Sequence, residues 1–249
     1  MFLRRVLAVL FAALCGVVVS AVPSSAAVTT TTAWRDDFNS LNGQVWRVVG
    51  SGCDAAGRVS VSGGLLHLQT VASSSAACPL VGARIDTFGK RQFGPGTLSA
   101  RIKFMPRTGS WDTFWATGAS GRRFPANGEI DIAEILGRDT PPIHHIRLHA
   151  AWTPGVSGRC TQQLDVPRPP GFMEQWHTYS VTTSTTTATF KVDGQVVAVF
   201  TQNMICSWPF ADPMRPIFAV GGGSYGGTPD KSLFPTTTLV DWFSYTPGS

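Results

Sequence analysis

The stretch Gly128-Glu129-Ile130-Asp131-Ile132-Ala133-Glu134-Ile135-Leu136 decides how this chain is read. It holds two of the three glutamates in the chain, the third being Glu174. An aspartate stands between them, and the remaining residues are mostly aliphatic. A segment so apolar reads as a strand through a core, not as a solvated loop. Side chains alternate across a strand, so Glu129 and Asp131 share a face. Glu134 lies five positions after Glu129, and a regular strand turns it to the other face. One extra residue, a β-bulge near Ile132-Ala133, brings it back. Without the bulge a carboxylate points into apolar core, which is costly. The sequence therefore predicts a bulged strand with three carboxyl groups on one face.

Like charges that close resist joint ionisation, so at least one of the three should hold its proton to unusually high pH. That suits a retaining glycosidase. There one carboxylate attacks the anomeric carbon while a second, protonated, gives its proton to the leaving oxygen, the two lying about 5–5.5 Å apart. Asp131 is expected to hydrogen-bond the nucleophile. Two other readings stand beside this one: a cation site, since acidic triplets bind calcium, and a solvated acidic face. Calcium loops use flexible segments containing Gly and Asn, whereas the spacers here are aliphatic.

Outward from this strand, the chain keeps reading as strands. Leu98, Ala100, Ile102 and Phe104 alternate with Ser99, Arg101 and Lys103. Val59 and Val61 precede Gly63-Gly64, after which Leu66, Leu68 and Thr70 resume the period, a hairpin pattern. Residues 188–192 and 196–200 flank Asp193-Gly194, which suits a type I′ turn. Residues 239–245 form another strand. Many short strands among 26 glycines and 17 prolines point to an all-β sandwich or barrel. At 249 residues, 43% hydrophobic and 14% charged, the chain can bury a real core.

The ends and the charge narrow the setting. Arg4 and Arg5, the apolar run 6–19 and Ser25-Ala26-Ala27 read as a secretory signal over residues 1–27, followed by one domain over 28–249. Residues 28–32, rich in Thr, look like a linker. The run is short for a bilayer span, and no membrane anchor is expected. Without Arg4 and Arg5 the 20 basic residues fall to 18 against 15 acidic, and the net charge falls from +5 to +3. The basic residues are scattered, so nucleic acid is not an expected partner. Four cysteines follow the signal, and an even count in an exported chain suggests two disulfides. Of three connectivities, Cys53–Cys78 and Cys160–Cys206 are favoured, because each pair flanks a plausible strand pair.

Glu129-Ile130-Asp131-Ile132-Ala133-Glu134 resembles the E-x-D-x-x-E signature of glycoside hydrolase family 16 in its bulged, laminarinase-like form. Further matches follow in the family's order. They are Gly82 through Thr87, Gly96 through Lys103, Trp111 with Phe114-Trp115, Trp176 through Tyr179, Asp193-Gly194, Trp208-Pro209-Phe210, Val220-Gly221-Gly222 and Val240-Asp241-Trp242. The resemblance covers about residues 34–246. It implies a concanavalin A-like β-jelly-roll sandwich with a concave cleft. It also implies endo-acting hydrolysis of β-glucans or galactans with retention of configuration. By motif position Glu129 is then the nucleophile, Glu134 the acid/base and Asp131 the helper. Trp111 and Trp115 stack on sugars, His149 lines the cleft and Arg84 bonds sugar hydroxyls. Each of these last four also has a structural reading: a core ring, a structural histidine, or an ion pair of Arg84 with Asp86. Trp34, Trp46 and Trp242 are assigned to the core.

The chain departs from the family in three places. Phe124-Pro125 stands where Trp-Pro is usual, Ile217 and Phe218 replace an expected asparagine, and Thr182-Thr183 replaces a tryptophan. An endo-β-1,3-glucanase leads among the readings. A galactan hydrolase (of agarose, carrageenan or β-1,3-galactan), a transglycosylase and a non-catalytic glucan-binding lectin are the alternatives. No cofactor is required. A structural calcium far from the cleft fits the family, but no loop demands one. Nothing indicates an oligomer, so a secreted monomer acting on a polysaccharide is expected.

Overall fold

Leu98, Ala100 and Ile102 turn inward from one sheet, Ile130, Ile132 and Ile135 from another, and the layer between them is the core. This is a computed structural model, and it describes residues 28–151 and 160–248. The proposed signal over residues 1–27 lies outside them. The strands are β1 (Val28–Thr30), β2 (Trp34–Asp36), β3 (Arg47–Val49), β4 (Val59–Ser62), β5 (Leu65–Ala72) and β6 (Leu80–Val81). Next come β7 (Ala83–Asp86), β8 (Arg91–Phe93), β9 (Gly96–Lys103), β10 (Trp111–Gly118), β11 (Glu129–Leu136) and β12 (Ile143–His149). The last are β13 (Thr161–Pro167), β14 (His177–Thr183), β15 (Thr187–Val192), β16 (Gln195–Thr201), β17 (Met214–Val220) and β18 (Thr236–Pro247). The only helices among the described residues are short 3-10 turns.

Two nine-stranded sheets face each other. One runs β1-β8-β17-β10-β11-β12-β13, with β7 and β3 added beside β17. The other runs β16-β15-β14-β9-β18-β5-β4, with β2 on β18 and β6 on β5. This is the jelly-roll sandwich that the resemblance implied, and of the sandwich and barrel that the alternating patterns allowed it is the sandwich. On β9, buried and half-buried residues alternate without a break. Both predicted hairpins form, with positive φ at Gly63 and Gly64 in one turn and at Asp193 and Gly194 in the other. Aromatic rings stitch the sheets together. Phe243 of β18 meets Phe114 of β10 and Phe218 of β17 edge to face, both at 6.2 Å. Such pairs add about 0.5–1.5 kcal/mol beyond the area they bury.

Both expected disulfides are present, Cys53–Cys78 and Cys160–Cys206, with Cα atoms 5.4 and 4.9 Å apart. Two expectations need correction. The presumed linker at 28–32 begins as a strand, for β1 pairs in parallel with β8 from Val28↔Arg91 to Thr30↔Phe93. Its partner lies some sixty residues away, so no local pattern could announce the pairing. Trp46 is buried and Trp34 packs against the core as expected, but Trp242 is half-exposed, with Arg35 stacked on it at 4.4 Å.

Candidate active site

The acidic strand starts from a sharp corner. Gly128 takes φ +81, and a Cβ there would sit 2.6 Å from Pro209 Cγ, so only glycine fits. From this corner β11 enters the middle of its sheet, between β10 and β12. The predicted bulge is at the predicted place. On β10, Trp115 faces Asp131 and the next residue back, Phe114, faces Ala133. On β12, Asp131 pairs with Arg147 and Glu134 with His145, so Ile132 and Ala133 together oppose Ile146. Ile132 and Ala133 are both buried, while Glu129, Asp131 and Glu134 all line one cleft.

The bulge has a fastener that the sequence reading missed. His144, buried on the core side of β12, places Nε2 2.9 Å from the Ile132 carbonyl oxygen. Burial drives the His144 pKa down to about 4. A neutral ring with the proton on Nε2 therefore donates to the carbonyl that the bulge takes out of the ladder.

The cleft has a volume of about 730 Å³ and crosses the sheet from β17 to β13. Four strand spacings make that width about 19 Å. Trp111 and Trp115 rise from β10, as expected, and Tyr225 meets Trp111 edge to face at 5.1 Å. Trp111 also has a polar duty, since its Nε1 donates to Glu134 Oε1 at 2.8 Å. On the other side stand His145, Arg147 and His149 of β12, two residues apart and so on one face of the strand. Phe124, in place of the usual tryptophan, is exposed on the rim and meets His149 edge to face at 6.0 Å.

Arg84 lies beside Trp115, its guanidinium 5.4 Å from the ring centroid, and is not itself among the residues lining the cleft. The Asp86 ion pair weighed from sequence exists at 3.6 Å, but Arg47 grips Asp86 more closely, at 2.9 and 2.7 Å. Among the described residues Arg84 Nε has no acceptor. Asp54, absent from the sequence reading, lines the cleft. Its neighbour Cys53 is tied to Cys78, and burial pushes its carboxyl up against the pull of Arg84.

Electrostatics follows from crowding. Burial, then the charge of Asp131, pushes Glu129 up to about 7, while His149 and Arg84 pull it back. Burial and Asp131 raise Glu134 too, against Arg147, His145 and the Trp111 hydrogen bond. The sequence reading paired Asp131 with Glu129 by hydrogen bond. In the structure Asp131 faces His149, whose Nε2 is 3.5 Å from Oδ2 and whose Nδ1 is 3.1 Å from Thr161 Oγ1. Contact with Asp131 raises the His149 pKa against burial, which lowers it. Glu129, Asp131 and His149 bring ligand atoms within 4.8 Å of one another and could touch a metal ion. Two carboxylates and an imidazole are a lean set for calcium, which takes 6–8 oxygens.

A curated relative, a beta-glucanase of Rhodothermus marinus, is 26% identical over 196 residues, 73% of this chain and 68% of that protein. The laminarinase catalytic domain of Thermotoga maritima MSB8 has the same fold, with a TM-score of 0.74 and 22% identity over 87% of this chain and 97% of that one. SCLam, a non-specific endo-β-1,3(4)-glucanase, has a TM-score of 0.73 and 25% identity over 85% of this chain and 92% of that one. The model for glycosyl hydrolases family 16 matches residues 56–243, around a bulged acidic strand at the floor of a cleft, and the chain belongs to that family.

Proposed function

We propose that this chain is a secreted, retaining endo-glycosidase whose substrate is a β-1,3-glucan. The observation that carries the reading is the set of three carboxyl groups brought to one cleft face by the bulge at Ile132-Ala133. In this reading Glu129 attacks the anomeric carbon as Glu134 gives its proton to the departing glycosidic oxygen. A glycosyl ester forms on Glu129 and the shortened chain leaves. Glu134, now a carboxylate, takes a proton from water, whose oxygen displaces Glu129 and restores the original configuration. Asp131, beside both, holds His149 close and makes any extra negative charge on the glutamates costly, so the group keeps a proton at neutral pH. Trp115 and Trp111 cover the apolar C–H faces of sugar rings, and Arg84 and Asp54 offer a donor and an acceptor to sugar hydroxyls.

A groove about 19 Å across leaves room for several rings, as internal cleavage requires. The beta-glucanase and endo-β-1,3(4)-glucanase relatives favour a glucan. Two disulfides fit an oxidising compartment, and among the described residues no helix is long and apolar enough to cross a membrane. Reducing ends are to be measured after incubation with laminarin, mixed-linkage glucan, agarose, κ-carrageenan and β-1,3-galactan, with Glu129→Gln alongside. Release from laminarin that vanishes in the variant supports the reading. Release from a galactan alone keeps the mechanism and moves the substrate. Binding without release from any polymer sinks the enzyme assignment and leaves a lectin.

A further inference from the structure

Directly cross-strand from Glu134, on the cleft face of β12, stands His145. Its side chain is 7% exposed. Nε2 lies 2.6 Å from Asp139 Oδ2, and Nδ1 lies 2.8 Å from Asp165 Oδ1. Arg147 donates through Nη1 to the same Asp165 oxygen at 2.6 Å and holds Nη2 2.9 Å from His145 Nδ1. The charged groups around the ring are thus Glu134 of β11, Asp139 and Arg138 of the β11–β12 loop, Arg147 of β12 and Asp165 of β13. Arg138 Nε is 3.8 Å from Asp139 Oδ1. Burial alone pushes Asp165 up, but bonds from His145 and Arg147, with their charges, bring its pKa below the ordinary value.

Ionised carboxylates only accept, so Nε2 donates to Asp139. Nδ1 then has two satisfied states. With a proton it donates to Asp165, and the ring is a cation. Without one it accepts from Arg147 Nη2, and the ring is neutral. Each state gives Nδ1 a partner, Asp165 Oδ1 in the first and Arg147 Nη2 in the second. With the ring charged, His145, Arg147 and Arg138 outweigh Asp139 and Asp165 by one positive charge beside Glu134. With the ring neutral, the two arginines and the two aspartates balance and that positive charge is gone.

We infer that His145 is a positioning residue whose imidazolium, clamped between Asp139 and Asp165, sets the pH range in which Glu134 keeps its proton. The inference rests on Glu134 being the proton donor. Two elements off the acidic strand supply the clamp, the β11–β12 loop and β13. The charges of Arg147 and His145 act on Glu134 in the required direction, opposing burial and Asp131.

The test is the pH dependence of kcat/KM on laminarin, whose alkaline limb reports Glu134 losing its proton in the free enzyme. His145→Gln keeps an amide near Asp139 and removes the cation. The Glu134 anion is then less favoured, and the limb moves up by roughly one pH unit, about tenfold in proton affinity. A folded His145→Gln enzyme whose limb stays put or moves down overturns the inference. Proton linkage is reciprocal, so the imidazole resonances of His145 provide a second reading. Their titration midpoint should fall in Glu134→Gln, because a neighbouring anion has gone. An unchanged midpoint overturns the inference even if His145→Gln does not fold. Glu134→Ala tests the underlying reading separately. It should still cleave a dinitrophenyl glycoside, whose leaving group needs no proton, while losing activity on laminarin. Loss of both in a folded protein removes Glu134 as donor and leaves the charge coupling itself to the resonance measurement.

Discussion

On the β10 side of the acidic strand the cleft floor is aromatic, and on the β12 side it is ionic. Trp111, Trp115 and Tyr225 present rings to the open groove. His145, Arg147 and Asp165 are bonded to one another, and His149 is held by Asp131 and Thr161. The contrast separates two jobs. A ring with an uncovered face can meet a sugar, whereas a charged group already paired can chiefly orient and tune its neighbours. Trp111 crosses the divide, for its indole N–H holds Glu134.

The comparison can be broken by kinetics. Trp115→Ala should lower kcat/KM on laminarin by about 10- to 100-fold, mainly through KM, because a sugar platform is lost. His149→Ala should lower kcat by roughly tenfold and move KM less than about twofold. Equal KM effects from both sides would mean that the ionic half binds sugar as well.

Stability sharpens the same contrast beneath the floor. His144→Ala removes the donor to the Ile132 carbonyl and leaves it buried and unpaired, at a cost of about 1–3 kcal/mol. For a domain of this size that lowers Tm by roughly 4–8 °C near the middle of the range. His144 has its folded pKa lowered to about 4 from 6.5. Its neutral state therefore favours folding above the unfolded value, and that contribution is lost as pH falls from 6.5 toward 4. His144→Gln should lose this acid sensitivity.

Under the aromatic half the sign reverses. Asp112 is fully buried, and burial raises it from 3.8 to about 7 against the Thr238 hydrogen bond. Its contribution is present below 3.8 and is lost as pH rises through 7. The Tm of Asp112→Asn should gain on that of the parent across this window, on the order of 10 °C at about 2–4 °C per kcal/mol. A variant Tm that falls relative to the parent's as pH rises from 3.8 to 7 would contradict the assignment.

The smallest effect concerns the rim. Phe124→Trp enlarges the exposed ring beside His149 and should lower KM for laminarin by about two- to threefold. No change would place Phe124 outside the path of the polysaccharide.

Much of the fold was legible because its cues are local. The alternation from Leu98 to Phe104 and the turn residues at Gly63-Gly64 and Asp193-Gly194 each act within a few residues. The bulge was legible for an energetic reason: carboxylates at 129, 131 and 134 within an apolar strand leave a single inexpensive arrangement. Their roles came from motif position, and their proximity to Trp111, Trp115 and His149 was anticipated in the same way. Where the cue was distant the reading failed or fell silent. Residues 28–30 look like a linker in sequence because their strand partner lies at 91–93. Asp54 gave no sign of reaching the cleft, since its place depends on the Cys53–Cys78 bond and on pairing with Gly82.

Steric alternation and the cost of burying charge are properties of neighbours along the chain, so an all-β sandwich or barrel, the acidic face and the need for a bulge were readable from the residues, and the motif resemblance narrowed the fold to a jelly roll. What fastens the bulge and what stands against the acids depends on elements far apart in the chain. His144 reaches Ile132 and His145 joins Asp139 to Asp165 across separate elements, and hydrogen bonds at 2.6–2.9 Å exist only once folding has brought those elements together.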